Sequence, residues 1–107
     1  MTTNQEMMTR LSWPAEVEEF AARRGLADYL PQVWQMTCQV FPRAQQLAFR
    51  LEEDVEIPDD WRVIVHVEAP LTVPQLVAAQ RQWYDGLFAF CPATHAVWFC
   101  LTLYPVA

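Results

Sequence analysis

Eight prolines divide this chain, and their positions fix where regular structure can start and stop. Proline holds φ near −65° and has no N–H to donate, so it suits a first helical turn or an element's end and breaks an interior. Pro14, Pro31 and Pro74 each stand at the front of a stretch whose apolar residues recur at helical spacing. Pro42, Pro70, Pro92 and Pro105 close stretches, and Pro58 interrupts an acidic connection. With only two glycines, Gly25 and Gly86, to add breaks, 107 residues reduce to six compact segments. That length makes one small domain.

Periodicity then assigns each segment. Ser12-Trp13-Pro14 reads as a helix start, with Ser12 as cap and Val17, Phe20 and Ala21 as a short apolar stripe. Glu16, Glu18 and Glu19 lie toward the positive end of the helix dipole, Arg23 and Arg24 toward the negative end, and Gly25 stops the helix. Asp28 opens a second helix whose face carries Leu30, Val33, Trp34, Thr37 and Val40 and which ends at Phe41-Pro42. Gln46 to Glu53 alternates, with Leu47, Phe49 and Leu51 on one side. Trp61 to Glu68 alternates again, with Val63, Val65 and Val67 inward. Thr72-x-x-Gln75 is a capping-box pattern ahead of a helix from about residue 73 to 90, which either runs through Gly86 or turns at Asp85-Gly86. His95 to Tyr104 reads as the last strand, with Val97, Phe99, Leu101 and Leu103 inward and Ala96, Trp98, Cys100, Thr102 and Tyr104 outward.

The order α-α-β-β-α-β predicts an α+β fold. The expected form is a two-layer sandwich, with a three-stranded sheet carrying its helices on one face and an antiparallel hairpin joining the first two strands. Residues 1–11 are expected to form a flexible lead-in, and residues 12–107 the domain.

Several function classes fall away on composition. All seven basic residues are Arg, so no lysine can form a Schiff base. Two distant glycines cannot build a phosphate-cradling loop, and the single serine, Ser12, lacks the small neighbours of a hydrolase elbow. No cofactor is expected. Neither an apolar leader nor a run long enough to span a bilayer is visible, and three cysteines without a Cys-x-x-Cys pair fit a reducing compartment. The expected location is the cytoplasm, and no membrane partner is expected.

Charge is uneven. Glu52, Glu53, Asp54, Glu56, Asp59 and Asp60 account for the net charge of −6, because the remaining seven acids equal the seven arginines in number. Nucleic acid is therefore not an expected partner, and any long-range attraction is for a basic one. The run lacks the glycine and the regular carboxylate spacing of a calcium loop, so a solvated, aggregation-resistant connection is its simplest use and docking of a basic surface the next. Cys91-x-x-x-His95 supplies two soft ligands where zinc needs at least three convergent ones, and no metal site is expected.

The outward side of the sheet carries more promise. Ile64, His66, Trp98, Cys100 and Tyr104 fall there on the alternation, too apolar a set for an ordinary wet surface. Among five tryptophans, Trp34 and Trp83 fit helix core faces, and Trp98 stands out for binding. These residues predict a non-catalytic interaction or self-associating module. Its partner would be a second copy or another protein, met through the open sheet face, the edge of the last strand and the acidic hairpin loop. One version is an acidic companion that masks a basic protein. The alternative is a small-molecule binder or enzyme whose pocket uses His66 and Cys100, but no nearby group is identified that would lower the thiol's pKa or stabilise an oxyanion.

Overall fold

A computed structural model describes residues 13–106. The lead-in assigned to residues 1–11 and the Ser12 cap lie outside the described residues. Helix α1 spans Ala15–Arg24 and α2 spans Tyr29–Val40. Strands β1 (Gln46–Glu53) and β2 (Trp61–Ala69) follow, then α3 (Val73–Phe90), the single turn α4 (Ala93–Ala96) and β3 (Phe99–Pro105). The fold is α+β with a three-stranded mixed sheet in the order β1-β2-β3. β1 pairs antiparallel with β2, and β3 pairs parallel with β2 across the α3 crossover.

Local chemistry explains the boundaries. Pro14 takes the position before α1 with an extended backbone, and the Trp13 indole N–H donates to the Glu18 carboxylate one turn in. Gly25 adopts a φ of +72° after α1, a left-handed conformation that L side chains resist. Its neighbour Leu26 returns its N–H to the Ala21 carbonyl, which ends the helix cleanly. At α3 the capping box forms in full: Gln75 N donates to Thr72 Oγ1, and Thr72 N donates to the Gln75 side chain. That helix runs unbroken through Gly86, where an added Cβ would lie 3.0 Å from the Met36 side chain of α2. The glycine thus makes room for the Met36 side chain between α2 and α3, and this packing offsets its poor helix propensity.

Register sorts the sheet residues. Across the three strands, Leu51, Val63 and Phe99 align, then Phe49, Val65 and Leu101, then Leu47, Val67 and Leu103. These residues belong to the hydrophobic core or pack against it, together with Val17, Phe20, Leu30, Val33 and Trp83 from the helices. Phe49 stacks on Trp13 at 5.4 Å and meets Trp34 edge-on at 5.1 Å. The intervening residues form the second face, in rows of Arg50, Ile64 and Cys100, then Ala48, His66 and Thr102, then Gln46, Glu68 and Tyr104. None of them joins the core cluster.

The last strand corrects the sequence expectation. It begins at Phe99, because Pro92 starts the α4 turn and the chain stays helical to Val97. Inside that turn alternation fails: Ala96 is buried and Val97 is exposed, the reverse of the strand assignment. Trp98 moves with them. It packs against the core edge-on to Phe20, at 5.9 Å, instead of lying on the outward face.

Candidate functional site

Two features that the sequence kept apart meet in space. The connection between β1 and β2 lies over the end of the outward sheet face, and together they line an open groove of about 250 Å³. Ile64 and Cys100 supply its apolar floor; Glu52, Glu53, Asp54, Val55, Asp60 and Arg62 supply its walls. Ile64 is buried, whereas Val55 at the rim is 99% exposed.

The connection is ordered by its own acids. Asp54 Oδ1 accepts from the N–H groups of Glu56 (2.7 Å) and Ile57 (3.1 Å), an Asx-type turn. Asp59 stands at a φ of +64°, where a short polar side chain is tolerated, and its N–H donates to Glu53 Oε2. Asp54 N donates to the Asp60 carbonyl and closes the hairpin. Glu52 pairs with Arg50 at 3.0 Å, and Asp60 faces Arg62 at 3.4 Å. Four of the six acids are thereby engaged, while the Glu56 and Asp59 carboxylates have no partner among the described residues. Glu53 and Asp54 line the groove and keep their negative charge while accepting these N–H bonds, whereas Glu56 and Asp59 do not line it.

Beyond the groove, His66 and Tyr104 share the outward face with ring centroids 4.8 Å apart, and His66 Nε2 lies 2.8 Å from Glu68 Oε2. His66 Nδ1 and Thr102 Oγ1 are buried without a hydrogen-bond partner among the described residues, and the two residues are paired across β2 and β3. Cys100 belongs to the next row, opposite Ile64. The thiol and the imidazole are not hydrogen-bonded to each other, and the ring is held by a carboxylate on its own strand.

The remaining sequence candidates disperse. Cys91 is buried at the end of α3, and the His95 ring lies tilted against Tyr29 at 5.5 Å. Among the described residues no three His, Cys, Asp or Glu side chains converge as metal ligands. No helix among them is long and apolar enough to cross a membrane. Sequence reasoning missed a second cleft, of about 450 Å³, lined by Phe20, Arg23, Arg24, Asp59 and Trp61. Arg24 lies 4.6 Å over the Trp98 ring at its side, so Trp98 serves as a platform for this arginine. Only the doublet Arg23-Arg24 before Gly25 hints at it in the sequence.

The three thiols differ in access. Cys38 and Cys91 are both buried, and burial pushes the Cys38 thiol up to about 11 and raises that of Cys91 too. Cys100 is half-buried on the groove floor. A thiol reagent at pH 8 is expected to label Cys100 first, with the other two following at least about 100-fold more slowly, because they react only from opened states. Mass spectrometry of the labelled chain reads the order; early labelling of Cys38 or Cys91 would contradict this packing.

No protein family matches the chain, and no curated protein or solved structure matches it either.

Proposed function

We propose that the protein is a non-catalytic interaction module whose groove receives a basic segment of another protein bearing apolar side chains. The observation that carries this reading is the meeting of the acidic connection with the apolar row of Ile64 and Cys100 in one groove. An apolar floor provides contact area, and a negative rim steers and orients the incoming segment. Val55, fully exposed at the rim, gives the partner a further apolar contact. Glu53 and Asp54 provide the steering charge: both line the groove, and the backbone N–H groups they accept from do not neutralise them, whereas Glu52 and Asp60 are paired with arginines. The cytoplasm is the location that this reading adopts, on the odd thiol count and the absence of a Cys-x-x-Cys pair.

The pocket-enzyme alternative has less support. Cys100 and His66 sit in different rows, and Glu68 engages the ring. A thiolate nucleophile needs a base within hydrogen-bond reach, which this pair lacks.

A fluorescent peptide of alternating arginine and leucine is the probe. The wild-type chain is expected to bind it, to lose affinity as salt rises from about 0.05 to 0.5 M, and to protect Cys100 from labelling when saturated. The variant carrying Glu53→Gln and Asp54→Asn keeps the side-chain oxygens that accept from the Asp59, Glu56 and Ile57 N–H groups. Its association rate should fall several-fold and depend less on salt than that of the wild-type chain. Absence of binding, or binding that leaves Cys100 labelling unchanged, would sink the proposal.

A further inference from the structure

The two edges of the sheet are built differently. β1 forms one edge and carries Arg50, Glu52 and Glu53. β3 forms the other, with the sequence Phe-Cys-Leu-Thr-Leu-Tyr-Pro and no charge at all. Free edge strands in stable monomers carry charges, bulges or interior prolines that discourage pairing. Among the described residues nothing pairs with the outer side of β3, and its only proline, Pro105, is its last residue.

The hydrogen-bonding groups of that edge can be assigned. Val63 N donates to the Trp98 carbonyl and Val106 N to the Ala69 carbonyl, so the main-chain groups of Trp98 and Val106 face β2. Main-chain direction alternates along a strand, so Cys100, Thr102 and Tyr104 face β2 as well. The N–H and C=O groups of Phe99, Leu101 and Leu103 therefore point outward from the sheet.

We infer that β3 pairs with β3 of a second copy, antiparallel about a two-fold axis at Leu101, to make one six-stranded sheet. This register alone uses every outward group: Leu101 faces its equivalent, and Phe99 faces Leu103 of the copy. Centring on Thr102 would set Phe99 against Pro105, which has no N–H. An identical chain suits the edge on charge. The net −6 resides in the end of β1 and the β1–β2 connection, and the β3 edge is an uncharged stretch where two such acidic chains can meet without like-charge contact. On the core face, Leu101 aligns with Leu101 and Phe99 with Leu103; Phe99 and Leu101 are already buried within each chain, so the half-buried Leu103 gains most of the cover there. On the outward face, Cys100 lies opposite Thr102 of the copy, which offers the unpartnered Thr102 hydroxyl a sulfur to donate to. This inference shares Cys100 with the groove but does not rest on the groove reading, because it concerns the strand's main chain and not the acidic rim.

The register makes a covalent prediction. Cys100 and Thr102 of the copy form a non-hydrogen-bonded antiparallel pair, with Cα atoms about 4.5 Å apart, within disulfide range. The 107-residue chain should have twice its 12.5 kDa mass by light scattering in reducing buffer at micromolar concentration. Thr102→Lys should give a monomer with unchanged circular dichroism, since that side chain lies on the outward face. Thr102→Cys, oxidised under native conditions, should become a covalent dimer on a non-reducing gel, whereas Leu103→Cys, which points to the core face, should not. A wild-type monomer at all concentrations overturns the inference, whatever then covers the edge. So does a dimer unmoved by Thr102→Lys, or a Thr102→Cys chain that fails to cross-link while dimeric. Failure of the peptide to bind the groove leaves these readouts untouched, so the two proposals fail separately.

Discussion

Truncation of Phe49 to Ala is expected to lower the unfolding free energy by about 3–5 kcal/mol. Phe49 is 1% exposed at the centre of β1, with Trp13 stacked on its face and Trp34 against its edge. Trp13 and Trp34 also touch each other at 5.9 Å, so the three rings form a closed aromatic cluster. Removing the middle ring deletes buried area and leaves a cavity that two rigid indoles cannot collapse to fill. A small domain has about 5–15 kcal/mol in total, so the loss is a large share of its stability. Urea unfolding followed by tryptophan fluorescence measures it, and the native emission should also shift, because Trp13 and Trp34 lose their shared neighbour. Phe49→Leu keeps most of the volume and should cost distinctly less. A loss below about 1 kcal/mol for Phe49→Ala would mean that the cluster relaxes freely, contrary to the packing described.

Phe49 also shows why much of this fold could be read from the sequence. In β1 and β2 every second residue faces the core, and a one-residue slip would turn every valine of Val63-x-Val65-x-Val67 to the wrong face. The hairpin register follows from that constraint. Prolines and the capping box marked the boundaries of α2, β2 and α3 through chemistry that acts within a few residues. Trp98 failed because its signal was ambiguous at the same range. His95 to Trp98 alternates apolar character only weakly, and Pro92 can begin a helical turn as readily as close a helix. The structure takes the turn, and Trp98 ends against Phe20.

The groove was legible in its parts and not in its assembly. Alternation put Ile64 and Cys100 outward, and composition flagged the acids. Which acids line the groove depends on the path of the connection, with its positive φ at Asp59 and the backbone N–H groups that donate to the Glu53 and Asp54 side chains. Those are loop geometries that no periodicity encodes.

A second large effect comes from a single hydroxyl. Trp83 is completely buried, and its indole N–H donates to Thr37 Oγ1 at 2.8 Å, tying α3 to α2. The Thr37 hydroxyl donates in turn to the Val33 carbonyl at 2.6 Å, so its one proton and one of its lone pairs are both used. The two ends of this chain are not equivalent. Thr37→Val keeps the shape but strands the indole N–H in the core, and is expected to cost about 1–3 kcal/mol. Trp83→Phe removes the donor instead, and Thr37 keeps its bond to Val33, so that variant loses ring volume without leaving an orphaned polar group. Combining both substitutions separates the two contributions. If the stranded N–H dominates Thr37→Val, adding that change to Trp83→Phe should cost much less than making it in the wild-type chain, a coupling readable by urea unfolding with circular dichroism. Equal costs in both backgrounds would mean that the indole finds another acceptor or a water, and that the Thr37 hydroxyl does not join the two helices.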